Sequence, residues 1–278
     1  MRKILVYSHE KDPITKTLLE SVPDIYPISI RKFIDNCTIF DELSVKGAKI
    51  EWTFSDGVVV KNDENHFLIN RVLGLSEDMF QDFAESDRKY SLNEYRAYLT
   101  FALASFPFAN TRPGAFGLCG NSYSLPRQWN IINQSEIGLS IPQFYLGNLT
   151  RYYRLPGLVC SNPFKYYFWR PEIKDTSFGF IRPKGEPILI TNIGNKILVS
   201  PVFNGKNLSY SILSRLEVLS RKLSDLFFNK IFEALVFLND SELVFGMISN
   251  VPAASSKKVG FSGVVLKYFM DYVNECQS

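Results

Sequence analysis

Two hydrophobic periods alternate along the chain, and the switches between them predict its elements. Lys3 to Ser8 is a nearly unbroken apolar run, the pattern of a buried strand. Asp12-Pro13 supplies a helix N-cap followed by proline at the first helical position, and Ile14, Leu18, Leu19 and Val22 line one face of the helix so opened. Ile25 to Ile30 returns as a second strand. Gly47 to Phe54 and Gly57 to Lys61 alternate apolar and polar residues about Ser55-Asp56-Gly57, a hairpin pattern. Phe67 to Arg71 is a further short strand. Strand, helix, strand, then hairpin is the order of a small α/β domain of roughly 120 residues.

The pattern then becomes helical. Tyr90, Tyr95, Tyr98, Leu99, Ala102 and Leu103 recur near helical spacing, which predicts a helix over Asp87 to Ser105 ended by Phe106-Pro107. Ser124-Leu125-Pro126 opens another, with Trp129, Ile131, Ile132 and Ile137 apolar and Gly138 as its C-cap. Ile141 to Leu146 is extended. Asn148 to Gly185 is rich in aromatics and prolines and yields no regular assignment. Pro187–Thr191 and Lys196–Phe203 form a hairpin across Asn192 to Asn195. Ser209 to Phe232 is a long helix carrying Leu213, Leu216, Leu223, Leu226 and Phe227 inward. Glu233 to Ser249 is a hairpin about Asn239-Asp240-Ser241, leading to Pro252, and Phe261 to Val273 is a closing amphipathic helix.

Composition narrows the chemistry. The chain has 278 residues, 46% hydrophobic and 21% charged, enough for two or three subdomains with sizeable cores. The net charge of +3 is spread over scattered basic residues, which supports neither a nucleic-acid partner nor a membrane surface. Four cysteines (Cys37, Cys119, Cys160, Cys276) stand far apart without a C-x-x-C, as reduced thiols do. Two histidines, His9 and His66, exclude a histidine-rich metal centre. The first apolar run is too short for a signal peptide and no run reaches transmembrane length, so the expectation is a cytoplasmic protein.

Three segments in chain order carry a family resemblance. The first is Asn70-Arg71 with Asp87 to Tyr90, Glu94 and Asn110-Thr111-Arg112-Pro113-Gly114. The second is Trp129 through Gly138-Leu139-Ser140-Ile141-Pro142. The third is Ile188 to Phe203, the long helix, and the Glu233 hairpin. Together they resemble RimK-like ATP-grasp ligases. The resemblance implies an α/β (α+β) fold with a pre-ATP-grasp-like domain at 1–122. An ATP-grasp-like region follows at 123–278, with a shortened central subdomain near 143–186 and a C-terminal subdomain near 187–278. It also implies a clamp that holds ATP between two antiparallel sheets.

Residue by residue, the resemblance assigns Glu233 and Asn250 to metal, Lys165 and Lys184 to nucleotide phosphates, and Arg71 and Arg112 to a substrate carboxylate. The family's second-strand Glu-x-Asn set falls, after one inserted residue, on Met247 and Ser249. Magnesium prefers oxygen ligands, and a thioether is a poor substitute. No Lys among Lys165, Lys174 and Lys184 stands beside a glycine-rich loop. The expectation is therefore a degenerate nucleotide and magnesium site, a pseudoenzyme that binds a peptide, an amino-acid substrate or a partner protein. The alternative is an active ATP-dependent carboxylate–amine ligase that uses ATP and magnesium and passes through an acyl phosphate. Each assignment has a plainer competitor. Arg71 and Arg112 can pair with Asp87 or Glu94, Ser249 and Asn250 can serve a turn, and Lys184 with Arg182 can be a solvated turn. The aromatic run from Phe164 to Phe180 is a candidate to fill the clamp itself.

Overall fold

The computed structural model describes residues 3–9, 12, 15–16, 19–20, 25–45, 47–114, 117–120, 123–147, 155–169, 178–203, 208–240, 242–250 and 261–277. The chain divides into two compact units. The first comprises Met1–Ser122, Phe227–Ile231 and Ser262–Ser278; the second comprises Tyr123–Leu226 and Phe232–Phe261.

In the first unit, β1 (Lys3–Ser8) lies between β2 (Ile25–Ser29) and β6 (His66–Asn70), parallel to both. Each of these strands is rich in apolar residues because a parallel strand is covered on both faces. A short helix α1 (Ile30–Asn36), capped by the Ser29 hydroxyl on the Lys32 amide, leads into an antiparallel meander. The meander is β3 (Cys37–Ser44), β4 (Gly47–Phe54) and β5 (Val59–Lys61), in the order β3-β4-β5. Every second residue of β4 (Ile50, Trp52, Phe54) is buried, as a half-covered sheet requires. Helix α2 (Glu85–Ala104) supplies Tyr95, Tyr98, Leu99, Ala102 and Leu103 to the same core.

The second unit opens with α3 (Leu125–Gln134). A small sheet follows, β7 (Phe144–Leu146), β9 (Phe178–Ile181) and β8 (Leu158–Val159) in that order, all antiparallel. The larger sheet is β11-β10-β12-β13, built from β10 (Glu186–Ile193), β11 (Lys196–Pro201), β12 (Ile231–Asn239) and β13 (Glu242–Ser249). Helix α4 (Tyr210–Phe227) buries Leu216, Leu219, Leu223 and Phe227. Within it Ser220 donates a hydrogen bond to the Asn192 side-chain oxygen of β10 at 3.0 Å. The closing helix α5 (Phe261–Gln277) belongs to the first unit, where Tyr272 meets Phe67 edge-on at 6.1 Å.

Three sequence expectations are corrected or narrowed, and two elements were not expected at all. The helix expected over Ser209 to Phe232 ends at Phe227, and Phe232 lies in β12, because Phe228 adopts a left-handed conformation that breaks the helix. The α3 helix ends at Gln134; Gly138, with φ of 80°, turns the chain beyond it and is not its cap. α1 and β3 carry no periodic signal strong enough to have been predicted. The helix after Asp12 is described only in part: Thr15 and Lys16 are helical, while Ile14, Leu18 and Val22 lie outside the described residues.

Candidate functional site

The predicted site residues fall in both units, and each unit treats its charges differently. In the first, Asn70 and Asn110 lock neighbouring strand ends. The Asn70 amide donates to Asn110 Oδ1 at 2.6 Å, Asn110 Nδ2 returns a bond to the Asn70 carbonyl at 3.3 Å, and Asn70 Nδ2 donates to the Leu118 carbonyl at 2.7 Å. The next residue, Arg71, is buried. Its Nε and Nη2 donate to Asp12 Oδ2 and Oδ1 at 2.7 and 2.8 Å, a bidentate pair. The guanidinium also lies 5.7 Å from the centre of the Phe269 ring. Asp12 accepts the Thr15 amide at 3.0 Å and its hydroxyl at 2.5 Å, so one carboxylate both caps the helix and holds Arg71. Burial by itself would raise the Asp12 pKa; the Arg71 hydrogen bonds and charge, with Thr15, outweigh it and hold the carboxyl below its ordinary range. Arg71 therefore pairs with Asp12, not with Asp87 or Glu94. Arg112 is exposed, its carbonyl accepting the Gly120 amide at 3.1 Å.

In the second unit the predicted residues are spread out: Glu233 lies in β12, Asn250 follows β13, Lys165 opens the π-helical turn and Lys184 precedes β10. Glu233 pairs directly with Ser249, Leu235 with Met247 and Phe237 with Val244, the register shifting at a bulge between Leu235 and Val236. The extra residue is Gly246. Its carbonyl accepts Trp129 Nε1 at 2.8 Å, and an added Cβ would press on the Leu235 carbonyl at 2.8 Å. Gln128 holds the same strand through both ends of its amide, accepting the Ile248 N–H at 2.9 Å and donating to the Ile248 carbonyl at 3.1 Å. Pairs across adjacent strands share a face, so Glu233, Leu235 and Phe237 stand on one side with Ser249, Met247 and Val244.

An aromatic cluster covers the apolar part of that face. Phe164 and the turn of π-helix at Lys165–Trp169 place Tyr167 and Phe168 against Leu189, Leu235, Phe237, Val202, Val244 and Met247. Tyr167 lies 5.5 Å from the Phe237 ring and 6.0 Å from Phe203, and Phe164 stacks on Phe168 at 5.8 Å. Burial pushes the Tyr167 phenol up to about 12, against a lowering by Arg182, so it stays neutral in this setting. The later aromatics of the run take another place: Phe178 and Phe180 meet Trp129 at 5.6 and 6.1 Å, joined by Phe144 at 4.8 Å.

Glu233, toward the end of this face, is 1% exposed, and Asn250, just past the end of β13, is 5% exposed. Among the described residues, no three of His, Cys, Asp and Glu come together in a way that could hold a metal ion. Met247, in the apolar cluster, offers sulfur where a hard cation wants oxygen. Lys165 and Lys184 are both exposed. Gly185, beside Lys184, has φ of 103°, and a Cβ there would overlap the Leu238 carbonyl. The segment is thus pinned against β12 by a glycine only that position requires. Lys174 lies outside the described residues. Sequence reasoning missed Asp12 as the partner of Arg71 and Gln128 as a brace of β13, since both bonds join residues far apart in the chain.

No protein-family model and no curated protein matches this sequence. Solved structures do. The macrocyclase MdnC bound with precursor peptide MdnA, from Microcystis aeruginosa MRC, aligns with a TM-score of 0.69 at 14% identity, covering 96% of this chain and 99% of that one. A Chryseobacterium gregarium RiPP-associated ATP-grasp ligase, in complex with ADP and a leader and core peptide, aligns with a TM-score of 0.66 at 12% identity over 99% and 97%. D-alanine–D-alanine ligase from Bacillus anthracis aligns with a TM-score of 0.54 at 11% identity over 100% and 97%. Near-complete coverage of both partners in each alignment, set on the two antiparallel sheets described above, gives the chain the ATP-grasp fold.

Proposed function

We propose that this chain is a peptide-binding ATP-grasp-fold protein whose nucleotide and magnesium site is degenerate. The observation that carries the reading is the aromatic segment Phe164, Tyr167 and Phe168 seated on the sheet face next to the Glu233 hairpin. In a working grasp that face would meet the nucleotide. Here it is packed with the protein's own rings, and opening it would expose apolar surface at a cost of about 25 cal/mol per Å². The donor set at the end of the face supports the same reading. Glu233 is a carboxylate opposite a serine, and magnesium bound to a nucleotide usually takes one or two carboxylates besides the phosphates and water. A peptide is the favoured ligand because structural neighbours were solved with precursor peptides bound.

The test is calorimetric titration of the full chain with magnesium-ATP, with ADP release followed in parallel. The expected result is no saturable binding tighter than about 1 mM, a free energy of about −4 kcal/mol. Micromolar, magnesium-dependent binding with ADP release overturns the proposal and establishes the second reading, an active carboxylate–amine ligase. One feature favours that second reading: Glu233 and Asn250 are both buried at the same end of the hairpin. In it they would hold the metal, Lys165 or Lys184 the phosphates, and Arg112 the substrate carboxylate. Arg71 is the weaker choice for that role, since its fork is already matched to Asp12.

A further inference from the structure

Alternate residues of β4 point into the core of the first unit, and the Trp52 indole is buried there without any exposure. It packs against Phe33 at 4.9 Å and Phe106 at 5.4 Å. A buried indole N–H needs an acceptor, and the protein meets that need in two different ways. Trp129, in the second unit, donates to the Gly246 carbonyl at 2.8 Å, and its described ring neighbours Phe144, Phe178 and Phe180 carry no polar side-chain atom. Trp52 donates instead to the Tyr98 hydroxyl of α2 at 2.8 Å, and that hydroxyl donates in turn to Asp41 Oδ1 at 3.3 Å.

A carbonyl satisfies an indole as well as a hydroxyl does; what the hydroxyl adds is a continuation. The β3–β4 register sets Ile39 opposite Trp52 and Asp41 opposite Ile50. Cross-strand partners share a face, so Asp41 stands on the face that Trp52 occupies, where it is half-exposed. The bonds therefore run from an indole in the core, through a half-buried phenol, to a carboxylate in contact with water. Burial raises the Tyr98 pKa and the Asp41 charge adds to it, against a lowering by the Trp52 bond, so the phenol keeps its proton at neutral pH. Phe33 lies nearly parallel to the Tyr98 ring at 6.3 Å and helps to fix it.

We propose that Trp52, Tyr98 and Asp41 form a relay that carries oxidation out of the core of the first unit. The input is the loss of one electron from Trp52, to light or to a one-electron oxidant such as an oxygen-derived radical. Tyr98 then gives an electron to the indole radical cation and its phenolic proton to Asp41. One O–H bond breaks on Tyr98 and one forms on Asp41. The products are intact Trp52, a neutral tyrosyl radical at Tyr98 and a protonated Asp41, which releases its proton to water. The proton transfer is downhill, because an oxidised phenol is a far stronger acid than a carboxylic acid. It also spares Tyr98 a positive charge in a half-buried setting. A soluble thiol or ascorbate then reduces the tyrosyl radical, with the proton coming from water. Trp129, whose N–H ends on a carbonyl, lacks this exit. The proposal is independent of the nucleotide reading.

The test is transient absorption of the full chain after a laser pulse that photoionises tryptophan, with the ejected electron trapped by a soluble acceptor. An indole radical should decay while a tyrosyl radical grows at the same rate, independent of protein concentration. Trp52→Phe should remove this phase and leave the signal of the other tryptophans. Tyr98→Phe should remove the tyrosyl growth and lengthen the life of the indole radical. Asp41→Asn keeps the side-chain volume but cannot take the proton, and should slow the growth by about a hundredfold, the lower end of what a positioned base contributes. Asp41 is half-exposed, so this variant stays informative if circular dichroism shows that Tyr98→Phe has lost its fold. Absence of tyrosyl growth in the unaltered chain overturns the proposal. So does growth that survives Tyr98→Phe in a folded protein, which would send the charge elsewhere. Growth at an unchanged rate in Asp41→Asn overturns it too, since the carboxylate would then be structural only.

Discussion

Arg71 in the first unit and Glu233 in the second are both charged residues with almost no exposure, both at strand ends, and both candidates for a site. The structure separates them. Arg71 meets a carboxylate that fits its fork, and that carboxylate also caps a helix, so the charge is absorbed into the architecture. Glu233 faces Ser249 across the ladder, a neutral partner, at the edge of a face otherwise filled with aromatic and aliphatic side chains. A buried charge matched by an opposite one is a structural element. Glu233, whose ladder partner is the neutral Ser249 beside an aromatic-covered face, is the one of the two that the proposed function uses.

The strongest challenge to this contrast is Arg71→Ala. It strands the Asp12 carboxylate in a largely buried setting and should cost about 3–5 kcal/mol in urea unfolding. A loss under 1 kcal/mol would mean that Arg71 is not structural and return it to the candidate site. A gentler probe is acid. The folded Asp12 pKa lies below its unfolded value, so the unfolded state binds the proton more readily and stability rises with pH across that interval. The Asp12 contribution is fully present at neutral pH, begins to fall as pH drops through about 4, and is gone below the folded value. In Arg71→Met this acid-dependent portion should shrink, which unfolding curves between pH 7 and pH 2 would reveal. The smallest effect is expected from Glu233→Gln, which keeps the side-chain volume and removes the charge. Stability should change by no more than about 1 kcal/mol, since Gln keeps the side-chain volume and an acceptor oxygen. A loss of several kcal/mol would put Glu233 in the same class as Arg71.

Strand periodicity located β1, β2, β4, β5, β6, β10, β11, β12 and β13 in the sequence, because a sheet with covered faces writes its burial into alternate or continuous apolar residues. It did not locate β3, whose exposed apolar residues lack a buried face to set a period, nor the end of α4, which a single left-handed residue decides. The Glu233 hairpin could be read from the chain as β12 and β13, and the aromatic run could be read as a cluster whose first part packs on the larger sheet.

What the sequence determined by itself is the kind of fold and the residue types along the Glu233 hairpin, since those depend on residue type and local order. Tertiary structure decided which partner each charge takes and which half of the aromatic run lies on the sheet. Asp12 and Arg71 are 59 positions apart, and Phe164 and Phe237 stand at distant points of the chain. Pairings of that kind depend on how the strands are ordered in their sheets, and local periodicity carries no information about that order.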